Sequence, residues 1–140
     1  MGRILQLLVD TARTKDPLIR DMVLIGSAVY APEFAGDYDV VITSNAAPER
    51  RDELFGMLFD ALGEVANVDV ILRFAGDRIG DLARAILAGR ILFGGGEIMA
   101  EARRYFDEQG GVAQSLKGAL AAEKVGEYTL AEAAKAEDRA

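Results

Sequence analysis

The chain has no cysteine, no histidine and no tryptophan. Without cysteine there is no disulfide framework and no thiolate chemistry, as suits the reducing interior of a cell. Without histidine there is no Ser-His-Asp triad, no Cys-His pair and no histidine-ligated zinc. Any metal must then be held by oxygen, which favours Mg²⁺, Mn²⁺ or Ca²⁺. General-base work falls to Asp, Glu, Lys or Tyr. No apolar run approaches the ~20 residues of a membrane-spanning helix. The start, MGRILQLLVDTARTKD, meets Asp10, Thr11 and Arg13 too soon for the apolar core of a signal peptide. These absences predict a cytoplasmic protein with no membrane partner. Positive charge is also scarce: 16 Lys and Arg stand against 23 Asp and Glu, for a net charge of -7. That balance disfavours nucleic acid held by broad phosphate neutralisation. It leaves room for a small local basic site, a basic protein partner or a homo-oligomer.

What is present is a single-domain length of 140 residues, 51% of them hydrophobic. Apolar positions 4, 7, 8 and 12 form a helical stripe between Ile4 and Thr14, stopped by Pro17. MVLI, residues 22–25, is a short continuous apolar run of the kind found in buried strands. DYDVVIT, residues 37–43, alternates and is β-branched, so a second strand is expected there. Pro48 opens a helix with apolar residues at 54, 55, 58, 59 and 62. NVDVILRF, residues 67–74, is a third strand. A helix with Gly89 as its C-cap follows, then a short strand in RILFGGG and a helix ending at Gly110. The resulting order predicts an α/β (α+β) fold: a small mixed sheet of about four strands with helices packed around it. We divide the chain into a domain over residues 1–108 and a C-terminal helical tail over 109–140. The tail is rich in Ala, Glu and Lys and carries a capping-box pattern from Thr129 to Glu132.

One stretch is unlike ordinary packing. VLIGSAVYAPEFAGDYDVVI places Gly26 and Ser27 after one apolar run, then Asp37 and Asp39 at the entrance to the next. Residues two apart in a strand share a face, so Asp37 and Asp39 lie side by side while Tyr38, Val40 and Ile42 face the core. On the third strand Val68, Val70 and Leu72 share one face, and Asp69, Ile71 and Arg73 the other. If the two strands pair, Asp69 stands beside the aspartate pair. Carboxylates crowded together raise one another's pKa, and an oxygen-seeking divalent cation removes the conflict. A strand ending in a glycine turn offers free backbone N–H groups to phosphate, and the Ser27 hydroxyl can add a hydrogen bond.

Ile25-Gly26-Ser27, nine intervening residues, Asp37-Tyr38-Asp39 and then Asp69 resemble the signature of the DNA polymerase beta-like nucleotidyltransferase superfamily. Over roughly residues 5–108 the chain is similar to its minimal nucleotidyltransferases, the MNT-type antitoxins. The resemblance implies that Gly26 and Ser27 hold the triphosphate of a nucleoside triphosphate, taken as ATP. It implies that Asp37, Asp39 and Asp69 bind two Mg²⁺ ions, with Asp69 helping to deprotonate the attacking hydroxyl. It also implies a HEPN-domain protein as partner and acceptor of AMP, in a toxin–antitoxin pair. Many minimal members carry an arginine shortly after the Gly-Ser. Here that segment is Ala28-Val29-Tyr30-Ala31, which leaves Arg73, Arg78 or Arg90 as candidate replacements. The alternative is a catalytically silent nucleotide- or partner-binding module of the same fold. Modification of a small molecule such as an aminoglycoside would call for an added acceptor domain, for which this length leaves little room.

Overall fold

The computed structural model describes residues 1–116. Helix α1 spans Arg3–Lys15 and buries Leu5, Leu8, Val9 and Ala12; of the expected stripe Leu8 and Ala12 face the core, while Ile4 and Leu7 are exposed because the buried face is turned toward Leu5 and Val9. Asp16 ends it: its buried carboxylate accepts hydrogen bonds from the Leu18 amide (2.9 Å) and the Ser44 hydroxyl (2.6 Å). That pins the helix end to the sheet. Strand β1 (Ile19–Ile25), strand β2 (Tyr38–Ser44), helix α2 (Arg51–Gly63), strand β3 (Val68–Phe74), helix α3 (Leu82–Leu87), strand β4 (Arg90–Phe93) and helix α4 (Glu97–Leu116) follow. Short 3-10 turns at Ser27–Val29 and Pro32–Phe34 fill the β1–β2 connection, and another at Pro48–Arg50 leads into α2. Apart from these turns, the order matches the expectation.

The four strands form one mixed sheet in the order β3-β2-β1-β4. β1 pairs antiparallel with β2 and β4, and β2 runs parallel to β3. The central strand β1 is buried on both faces, which is why its sequence is a continuous apolar run rather than an alternating one. One face gathers Met22, Leu24, Tyr38, Val40, Ile42, Val68 and Val70 under α1 and α2. The other gathers Val23, Ile25, Val41 and Ile71 under α3 and α4, through Ile79, Ala83, Ile86, Ile98 and Ala102. Each fully buried Leu, Ile or Val contributes about 1.5–3 kcal/mol.

Three local expectations are corrected. β1 begins three residues earlier than its apolar run, because Arg20 and Asp21 are neutralised inside the sheet; Arg20 Nε lies 2.7 Å from Asp21 Oδ2. Gly89 is not the cap of α3: that is Ala88, and Gly89 is not in the left-handed region. A Cβ at position 89 would stand 2.5 Å from the Leu24 carbonyl oxygen, so glycine is needed there for close approach to β1. Finally, α4 does not stop at Gly110 but continues to Leu116. The remainder of the expected tail, with its capping box at Thr129–Glu132, lies outside the described residues. No helix among the described residues is long and apolar enough to cross a membrane.

Candidate active site

Register decides what the acidic residues can do together. In the parallel β2–β3 pair Asp39 stands opposite Asp69, and in the antiparallel β1–β2 pair it stands opposite Ile25. Adjacent strands are about 4.8 Å apart, so the two carboxylates are immediate neighbours. Both belong to the face covered by α3 and α4, at the end where β1 finishes and β2 and β3 begin. Asp39 is half-buried and Asp69 exposed. Burial pushes the Asp39 carboxyl above the usual carboxylate range. The charge of Asp69, the charge of Asp37 and a hydrogen bond shared with Asp69 push the same way. No cation offsets them in its surroundings among the described residues.

Asp37 is exposed and sits one residue before β2 rather than inside it. The ladder begins at Tyr38, whose amide donates to the Asn67 carbonyl at 2.9 Å. Asp37 therefore acts on Asp39 by its charge. Among the described residues no group of three acidic side chains already stands as a metal cluster. The expected three-carboxylate centre is an Asp39–Asp69 pair with Asp37 beside it. The donor chemistry still fits a divalent cation. Two carboxyls on facing positions of adjacent strands favour a counter-charge between them, and a hard divalent cation bound by all-oxygen donors supplies it.

Gly26 closes the site from the β1 side. Its φ is +80°, a conformation that a side chain disfavours. A Cβ there would stand 2.7 Å from Asp39 Oδ2. Glycine at this position thus allows both the sharp turn off β1 and the lean of Asp39 across the strand end. Ser27 is exposed and begins the 3-10 turn that follows. The structure brings Gly26, Asp39 and Asp69 together, with Ser27 and Asp37 adjoining along the chain.

The arginine question also has a geometric answer. Ala28 is buried, packed with the α1/α2 core, so a cation directly after Ser27 would have to be buried too. Of the three candidate replacements, Arg73 is four residues beyond Asp69 on β3, about 13 Å along the strand. It is buried there and donates to Thr43, Glu101 and the Asp77 carbonyl. Arg78 follows that same far end of β3. Arg90 pairs with Leu24, a β1 residue whose side chain faces α1 and α2 rather than the carboxylates.

No protein-family model matches the chain, and neither does any curated protein. Solved structures do. An MntA–HpeT toxin–antitoxin structure carrying two substitutions aligns with a TM-score of 0.57 at 17% identity, over 82% of this chain and 93% of that one. The chain has the MntA fold. A toxin–antitoxin structure with AMP-PNP aligns at 0.54 and 18% identity, over 82% and 93% of the two chains. A protein from Shewanella oneidensis aligns at 0.53 and 17%, over 85% and 94%. The MntA fold accounts for the mixed four-stranded sheet with helices on both faces. At these identities the likeness extends to the backbone arrangement, so the chemistry must be argued from the residues.

One feature escaped the reading of the sequence. Tyr30 and Phe34, both in the β1–β2 connection, are 82% and 87% exposed. A signal was there: two aromatic residues inside a loop marked by Pro32 and Gly36, between the Gly-Ser turn and the aspartates.

Proposed function

We propose that this protein is a Mg²⁺-dependent nucleotidyltransferase. In this reading it moves AMP from ATP to a hydroxyl on a HEPN-type protein partner, as the antitoxin of a toxin–antitoxin pair. The observation that carries the reading is the Asp39–Asp69 pair: two carboxyls side by side on parallel strands, uncompensated by a cation among the described residues and reached by the Gly26 turn. Clustered carboxylates are unfavourable to keep unless something positive binds them. The MntA fold and the AMP-PNP complex of a structural neighbour support the choice of nucleotide.

Each residue then has a task. The backbone at Gly26 and the Ser27 hydroxyl bind the phosphates. Asp39 and Asp69, with Asp37 at the rim, would hold Mg²⁺. That ion, when bound, supplies positive charge that neutralises the phosphates and acidifies the attacking hydroxyl. Asp69, the more exposed of the pair, accepts the proton of that hydroxyl. The hydroxyl oxygen forms a bond to the α-phosphorus as the bond to the bridging oxygen of the β-phosphate breaks, and pyrophosphate leaves. The exposure of the site leaves it open to an acceptor carried on another protein.

The test uses α-phosphate-labelled ATP, CTP, GTP and UTP with Mg²⁺. Each is incubated with the purified protein and a lysate of its source, beside an Asp37→Asn/Asp39→Asn variant. The expected result is one labelled protein band that the variant fails to produce, strongest with ATP. A folded protein that labels nothing and forms no labelled small product with any nucleotide would favour the catalytically silent binding module instead.

A further inference from the structure

Tyr30 and Tyr38 are eight residues apart and have opposite fates. Tyr38 is 3% exposed, and its hydroxyl donates to the Pro32 carbonyl. Tyr30 is held out in water. It is not held out by a slack loop. Ala28 is buried below it, Val29 and Ala35 pack on the α1/α2 core, and Tyr38 grips the second turn of the connection. An anchored segment that presents an aromatic ring to solvent is pre-organised for contact.

The direction of that ring follows from the backbone. Tyr30 has helical dihedrals (φ -87°, ψ -27°) and its amide donates to the Ser27 carbonyl at 3.2 Å, so it completes the 3-10 turn begun at Ser27. In a 3-10 helix side chains three residues apart eclipse, about 6 Å apart along the axis. Tyr30 therefore projects from the same side of the turn as the Ser27 hydroxyl. Phe34 belongs to the second turn and has no such relation to Ser27.

From this juxtaposition we infer that the ring of Tyr30 stacks on the base of the bound nucleoside triphosphate, an inference that rests on the function proposed above. With the phosphates at Ser27, we place the base, beyond the ribose, on the side of the turn that carries the Tyr30 ring. Stacking on a flat ring suits any base, so Tyr30 contributes affinity for the nucleoside rather than a choice among the four.

The test is calorimetric titration of the full chain in Mg²⁺ with two ligands: AMP-PNP, which has a base, and inorganic tripolyphosphate, which has none. Tyr30→Leu is expected to weaken AMP-PNP binding about tenfold and to leave tripolyphosphate unchanged. Tyr30→Phe keeps the ring and is expected to bind both ligands like the unsubstituted protein, as is Phe34→Leu. The inference is overturned if Tyr30→Leu binds AMP-PNP normally, if it weakens both ligands equally, or if Tyr30→Phe is as impaired as Tyr30→Leu. In those cases the nucleotidyltransferase reading survives. If the unsubstituted protein binds neither ligand, that reading falls and the inference falls with it.

Discussion

The α3/α4 face of the sheet carries charge at both ends, and the two ends are built on opposite rules. At the far end, Arg20, Asp21, Arg73 and Glu101 are matched. Glu101 of α4 accepts from Arg20 Nη2 at 3.0 Å and from Arg73 Nη1 at 3.2 Å, while Arg73 also reaches Thr43 Oγ1 (3.0 Å) and the Asp77 carbonyl (2.8 Å). At the near end burial and the charges of Asp69 and Asp37 act on Asp39, and no cation among the described residues offsets them. The same strands build both. The chain neutralises buried charge at one end of this face and, among the described residues, does not do so about 13 Å away along the strand; that contrast is what the function proposed above rests on.

The largest expected effect comes from removing the unmatched charge. Asp39→Asn should lower nucleotidyl transfer by a factor of about 10² or more, the usual loss when a group that stabilises transition-state charge is removed. The fold should hold and the melting temperature should stay the same or rise, because the substitution relieves repulsion. A variant that loses activity together with its cooperative melt would mean that Asp39 is structural, and the two ends would no longer differ in kind.

At the matched end the sign reverses. Glu101→Ala removes the acceptor shared by two arginines, one of them almost fully buried. Both keep other partners: Arg20 retains Asp21, and Arg73 retains Thr43. The loss should therefore be about 2 kcal/mol rather than the 3–5 kcal/mol of a fully orphaned buried charge. Denaturant unfolding should show it, while the affinity for AMP-PNP stays unchanged. If Glu101→Ala alters affinity and leaves stability intact, the far end is not the passive half of the comparison.

Much of the near end was legible before the structure. Period-two alternation assigned Tyr38, Val40 and Ile42 to the core and Asp39 to the opposite face. The same rule on β3 put Asp69 on the face of Ile71, and pairing did the rest. The far end was not legible, because its charges match only in three dimensions. Arg20 and Asp21 made the first residues of β1 look like a connection, and Glu101 looked like one more surface residue of a helix. Gly89 was misplaced for a similar reason: a close approach to the Leu24 carbonyl depends on tertiary packing. Asp37 was counted with its strand neighbour, although the ladder starts one residue later.

The smallest effect separates the ends by pH. Asp77, just beyond the far end of β3, accepts a hydrogen bond from the Phe74 amide and is further held by Arg51, so its carboxyl lies below the ordinary range. The folded state then binds the Asp77 proton less tightly than the unfolded chain does. Its stabilising contribution is present above the ordinary carboxylate pKa and is lost as pH falls through the lowered value. Asp39 has the opposite shift, raised first by burial and then by Asp69 and Asp37. Here the folded state holds the proton more tightly, so stability falls as pH rises from the ordinary pKa through the raised one. Melting curves in metal-free buffer across about pH 3 to 8 should therefore change in different ways. Asp77→Asn should reduce the loss of stability on the acid side. Asp39→Asn should remove part of the decline on the way to neutral pH. Mg²⁺ should flatten that same decline in the unsubstituted protein by replacing the proton as the counter-charge. If it does so equally in Asp39→Asn, the ion binds elsewhere and the near end is merely repulsive.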